Sequence, residues 1–192
     1  MQPVSAIAFD AFGTLIQYGA RRINPYLRLV GDTPANEKGG RLPFLTRNVP
    51  VEVFAEELGV GHLTHVIRRE LEDELASLQL YPEVELALRR LRGTGKRIAV
   101  CSNLAYEYGP AVRRLLPDLD AHVLSFEVGA AKPEPAIYEA VCSALGKRPR
   151  DVLFVGDSKR CDFDGPQAFG MQARWLDRRG GQSLADALKG VL

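Results

Sequence analysis

The stretch Val4-Ser5-Ala6-Ile7-Ala8-Phe9-Asp10-Ala11-Phe12-Gly13-Thr14-Leu15 decides the fold. It is a nearly continuous apolar run that stops at an aspartate and enters a Gly-Thr turn. Apolar side chains without alternation mark a strand covered on both faces, as in a parallel sheet. Four later runs have the same character: Arg97–Cys101, His122–Phe126, Val152–Val155 and Ala173–Leu176. Helical patterns separate them. One follows Pro82 through Val84, Leu88 and Leu91 to Gly93 and Gly95, one spans Ala111–Leu116 and stops at Pro117, and one spans Pro135–Leu145 and stops at Gly146. Strand, helix, strand order from about residue 82 onward predicts βαβ units and an α/β fold with a parallel sheet. Ligands of such sheets sit at the carboxyl ends of the strands.

One stretch breaks the rhythm. Residues 19–80 hold no convincing strand, whereas Leu63, Val66, Ile67, Leu71, Leu75 and Leu78 recur at helical spacing with Glu70, Glu72, Asp73 and Glu74 between them. A mostly helical insertion is expected there, with loops and one short helix from Gly31 to Pro50. The resulting division is 1–18 plus 81–192 as the α/β core and 19–80 as the insertion.

Bulk composition narrows the function classes. The chain has 192 residues, 46% hydrophobic and 26% charged, enough for one core plus a small module. Its 25 basic and 24 acidic groups leave a net charge of +1, which argues against nucleic acid or a membrane surface as partner. No apolar run approaches the roughly 18 residues that span a bilayer, and Met1-Gln2-Pro3-Val4-Ser5 lacks the basic start of a secretory signal. Cys101, Cys142 and Cys161 are odd in number and lack CxxC spacing, so neither a disulfide framework nor a zinc site is expected. These features predict a cytoplasmic protein; they do not specify an oligomeric state.

Polar residues collect where the strands stop. The first strand runs into Asp10 and Gly13-Thr14, the second into Ser102-Asn103, the third leads to Lys132-Pro133-Glu134, and the fourth into Gly156-Asp157-Ser158 and on to Asp162. In a parallel sheet all four ends share one rim. Asp10 and Asp157 together repel an anion unless a hard cation sits between them, and Mg²⁺ suits sparse carboxylate sites of this kind. With a cation present a carboxylate can attack phosphorus and form an aspartyl phosphate. Thr14, Ser102 and Lys132 would then hold the phosphoryl oxygens of a small anionic substrate.

Taken in order, these four segments resemble the haloacid dehalogenase superfamily of hydrolases from Ile7 to about Leu176. The resemblance implies a Rossmann-like three-layer core, with the insertion in the place of a small helical cap. It also implies Asp10 as nucleophile, Thr14, Ser102 and Asn103 around the transferred group, and Lys132 as charge balance. Mg²⁺ would be held by Asp10, the backbone carbonyl of Phe12, Asp157 and Asp162.

One position departs from the phosphatase pattern. Most phosphatases of the superfamily carry a second aspartate two residues after the nucleophile, which protonates the leaving group; here it is Phe12. A positioned acid/base is worth about 10²–10⁴-fold, and phenylalanine cannot supply it. The 2-haloacid dehalogenases resemble the chain at this point, because a halide leaves unprotonated, and their cap supplies an arginine for which Arg41 is the candidate. Asp157 and Asp162 argue the other way, since those dehalogenases work without metal. The expected activity is a Mg²⁺-dependent phosphatase or phosphotransferase acting on a small phosphorylated metabolite. Alternatives are a metal-independent 2-haloacid dehalogenase and a catalytically degraded binding protein. Arg21, Arg22, Tyr106 and Tyr138 are further candidates for substrate contact. His62 and His65 read as solvated helix residues, and Cys101 as a buried apolar one.

Overall fold

The computed structural model describes residues 4–19, 23–31 and 42–192. Arg21, Arg22 and Arg41 lie outside the described residues. Five strands form one parallel sheet: β1 (Ala6–Phe9), β4 (Arg97–Ser102), β5 (Ala121–Leu124), β6 (Val152–Gly156) and β7 (Gln172–Trp175), in the order β5-β4-β1-β6-β7. The apolar run that opens the chain is thus central, with Phe9 opposite both Val100 and Val155. The chain steps outward to one side of β1 through β4 and β5, then to the other through β6 and β7. The end of β1 is therefore where the winding reverses and a crevice opens.

Strand alternation sorts the side chains into two layers. Ile7 and Phe9 pack on α5 (Val84–Gly93), α6 (Tyr108–Leu115) and α10 (Leu184–Ala187) through Val84, Leu88, Leu91, Val112 and Leu184. Ala6, Ala8, Cys101 and Phe154 face the opposite way, onto Ile137, Tyr138, Val141 and Leu145 of α8 (Pro135–Leu145). Helix α9 (Gly165–Phe169) follows β6 and leads into β7. The result is a three-layer α/β core, as the continuous apolar runs predict.

Between the first strand and α5 lie α1 (Leu27–Val30), α2 (Leu42–Thr46), α3 (Val51–Glu57) and α4 (Thr64–Ser77). Their apolar residues, among them Leu29, Phe44, Phe54, Ile67 and Leu71, join the same buried cluster as Ile7 and Phe9. The expectation of no strand in this stretch is corrected at its end. Gln79–Leu80 forms β3 and pairs antiparallel with β2 (Ile16–Gln17), stitching the entry and exit of the segment together. Two residues per strand are too few for periodicity to reveal. The third core strand is also shorter than its apolar run, because Ser125–Val128 turns into a short helix, α7. Buried Ser125 there exchanges hydrogen bonds with the backbone N–H and carbonyl of Leu104. No helix among the described residues is long and apolar enough to cross a membrane.

Candidate active site

The polar residues named from the strand ends meet at the rim of the sheet. Asp10 follows β1, Ser102 ends β4, Lys132 precedes α8, and Asp157 follows β6. After Asp10 the chain folds over the carbonyl of Ala11, which accepts from the backbone N–H groups of Thr14, Leu15 and Ile16. No donor among the described residues reaches the Phe12 carbonyl. Arg178 braces this loop from the far end of the chain: it donates to the Thr14 carbonyl, pairs with Glu83 at 2.8 Å and lies over the Tyr81 ring. Sequence reading missed Arg178, whose signal is one arginine among many.

Lys132 Nζ is the hub. It lies 2.7 Å from Asp10 Oδ1 and 2.6 Å from Asp162 Oδ1, and it is almost fully buried. Burial alone would discharge the ammonium, but the carboxylates of Asp10 and Asp162 outweigh it and hold Lys132 well above its ordinary range. Asn103 fixes this lysine's backbone, accepting from its N–H and donating to its carbonyl at 2.8 Å each. For Asp10, desolvation is the largest influence and raises the carboxyl to about 7, against the opposing pull of Lys132. Ser102 Oγ and Thr14 Oγ1 stand 3.4 Å from the Asp10 carboxylate. That is long for a hydroxyl bond, so both donors can turn to an incoming oxygen at little cost.

Asp157 is exposed, Asp162 is buried, and oxygens of Asp10, Asp157 and Asp162 lie within 4.8 Å of one another. Two glycines make room for this approach. Gly13 has φ +84°, and a Cβ there would stand 2.3 Å from Asp157 Oδ2; a Cβ on Gly156 would strike Asp162 at 2.4 Å. Asp162 sits in a single π-helical turn, Lys159–Asp164, and accepts from the Ser158 backbone N–H at 2.9 Å. Three carboxylates against one lysine leave a formal charge of −2. That charge, with the unclaimed Phe12 carbonyl, fits one divalent cation bound by oxygen ligands.

The remaining candidates divide. Tyr138 is buried, donates to the Cys161 carbonyl at 2.7 Å and packs on Phe154, so its role is in the core. Burial pushes the Cys101 thiol up to about 12, which removes it as a nucleophile. His62 and His65 are exposed, and Tyr106 is exposed on the core. Phe12 stacks its ring on Tyr18 and meets Tyr108 edge-on.

A group of residues passed over in the sequence lies next to this. Glu74, one of the acidic residues between the apolar positions of its helix, is 1% exposed. Its carboxylate accepts from the N–H groups of Ile23 and Asn24 and from the Tyr108 hydroxyl at 2.6 Å. Its neighbour in function, Glu107, accepts from the Tyr26 hydroxyl and from the N–H of Val51 at the start of α3. The two pairs run in opposite senses: α4 holds a tyrosine of α6, and the residue before α6 holds a tyrosine of the inserted segment.

Comparison with known proteins agrees with this geometry. Residues 4–170 match the family model of haloacid dehalogenase-like hydrolases. A phosphatase of Mycobacterium tuberculosis is 32% identical, covering 92% of this chain and 89% of its own. A haloacetate dehalogenase of Moraxella sp. is 29% identical, covering 94% and 88%. The crystal structure of a HAD phosphatase from Thermococcus onnurineus aligns with a TM-score of 0.65 at 26% identity, covering 94% and 89%. With the matched model spanning most of the sequence and the strand-end residues gathered at one rim, the chain belongs to the haloacid dehalogenase-like hydrolases.

Proposed function

We propose that this protein is a Mg²⁺-dependent phosphohydrolase in which Asp10 is the covalent nucleophile and residues 19–80 form a cap over it. The observation that carries the reading is the carboxylate cluster. Asp157 and Asp162 crowd Asp10 to within 4.8 Å, an arrangement whose residual −2 charge has no use in a metal-free dehalogenase. Asp10, Asp157, Asp162 and the Phe12 carbonyl would hold the cation, which supplies charge neutralisation for a phosphate dianion beside a carboxylate.

The chain's own groups account for the rest. Lys132 pins Asp10 Oδ1 and leaves Oδ2, with only its loose Thr14 contact, to attack phosphorus. Ser102 and Thr14 donate to the oxygens of the phosphoryl group as the ester bond breaks. Water then attacks phosphorus of the aspartyl phosphate, releasing phosphate and restoring the Asp10 carboxylate. No acid stands at position 12, so the leaving group departs as an anion and takes its proton from solvent. The test is phosphate release from a panel of esters with Mg²⁺ and with chelator. Release that survives chelation or Asp10→Asn would overturn this mechanism.

A specific feature favours a second reading: the aromatic residue before Gly13-Thr14 is shared with 2-haloacid dehalogenases. Halide release from 2-chloropropionate that persists in Asp157→Ala without metal would establish it.

A further inference from the structure

Of the three carboxylates at the rim, two are held through their side chains and one is not. Lys132 pins Asp10 and Asp162. Among the described residues no salt bridge holds Asp157, the exposed member of the cluster. Its place is set by its backbone and by the room that Gly13 leaves beside it.

That backbone is tethered to the neighbouring strand. Gly156 and Trp175 are register partners at the ends of β6 and β7, and the Leu176 N–H donates to the Gly156 carbonyl at 2.8 Å. One residue further along, a side chain continues what main-chain pairing began: the indole Nε1–H of Trp175 donates to the Asp157 carbonyl at 2.8 Å. The other end of the same peptide group, the Ser158 N–H, donates to Asp162 Oδ2 at 2.9 Å. A peptide group is planar, so these two bonds hold one rigid plate, with Trp175 on one side and Asp162 on the other. Turning the plate would swing Asp157 and unhook Asp162 together.

Trp175 is the chain's single tryptophan, it closes the last strand of the sheet, and 43% of it is exposed. With so much of the ring in solvent, its contribution through apolar burial is modest. What it supplies is a donor: indole carries one N–H and no acceptor.

From this arrangement we infer that Trp175 is a positioning residue for the metal site, setting through the Asp157–Ser158 peptide where two of the three carboxylates present their oxygens. The inference rests on the Mg²⁺ part of the phosphohydrolase reading and adds to it a residue that touches neither cation nor substrate. The hold matters because Mg²⁺ demands near-ideal octahedral geometry, whereas Ca²⁺ accepts irregular oxygen sites. A carboxylate that wanders costs Mg²⁺ affinity even when the charge of the site is unchanged.

The test exploits the single tryptophan. Producing the full chain with 3-benzothienylalanine in place of tryptophan exchanges this one N–H for sulfur and alters no other residue. Trp175→Phe deletes the same donor by mutation. Calorimetric titration with Mg²⁺ should give a Kd higher by about threefold to tenfold in both proteins, the range expected of one neutral hydrogen bond. Titration with Ca²⁺ should show a smaller loss, so the preference for Mg²⁺ over Ca²⁺ shrinks. A Mg²⁺ Kd that stays unchanged, whatever happens to the melting temperature, would make the indole a surface cover only and overturn the inference, as would equal losses for the two cations. Mg²⁺ binding by the wild type without phosphate release from any ester would remove the phosphohydrolase reading and leave the Kd values to judge Trp175. A wild-type chain that binds no Mg²⁺ would overturn both.

Discussion

Two groups of carboxylates stand within one molecule and serve opposite ends. At the rim, Asp10, Asp157 and Asp162 share one lysine, and the Ser102 and Thr14 hydroxyls sit 3.4 Å from Asp10. At the junction of core and proposed cap, Glu74 and Glu107 are saturated by two tyrosine hydroxyls and three backbone N–H groups. A carboxylate whose lone pairs are filled by the protein is a structural joint, and removing it strands its donors. One left partly unfilled in a crowd of like charge is a place for ligands. The difference is set by what surrounds each group, because residue type alone is the same.

The sharpest way to break this contrast is at the nucleophile. Asp10→Asn should lower phosphate release by about 10³-fold or more, measured under single-turnover conditions, while leaving the fold intact by circular dichroism. Asp157→Ala, or chelation of the wild type, should cost about 10²-fold or more, with only the chelated wild type fully recovering on added Mg²⁺. Phe12→Asp should raise kcat/KM on alkyl phosphates by about 10²-fold relative to aryl phosphates, since it restores a proton donor where the ring now sits.

At the joint the readout is stability. Glu74→Ala leaves a tyrosine hydroxyl and two N–H groups without their acceptor, which should cost about 3 kcal/mol and lower Tm by about 6–12 °C. Glu74→Gln should cost less. A further effect is one of pH. Burial raises Asp10 to about 7 from the ordinary 3.8, so between those values the folded chain keeps a proton that the unfolded chain has released. Metal-free stability should therefore fall as pH rises through that window, and the Tm gained on adding Mg²⁺ should be larger at about pH 8 than at about pH 5.

Much of the rim was legible because chemistry and topology coincide there. Asp10, Ser102, Lys132 and Asp157 each sit at or near the end of an apolar run, and a parallel sheet brings such ends together whatever their separation in sequence. The junction was not legible for the converse reason. Tyr18, Tyr26, Phe44 and Tyr108 are scattered over helices and loops, and no periodicity says that their rings meet. Glu74 is instructive, since Ile67, Leu71, Glu74 and Leu78 follow helical spacing and place this glutamate on the apolar stripe. A charged residue inside an apolar stripe is the available signal for a buried, partnered carboxylate. Strand β3 is simply too short to announce itself. Arg41, the sequence candidate for substrate contact, lies outside the described residues.

The central position of β1 has a consequence for how the protein is made. Its two neighbours are residues 97–102 and 152–156, and the loop after it is held by Arg178. β1 is thus made before either of its sheet neighbours and before the brace on the loop that follows it. Until residues 97–102 have been made β1 has no neighbour in the sheet, and the Asp10 loop lacks its brace until Arg178 follows. Newly made chains should depend on being shielded during that interval more than a helical protein of the same size would.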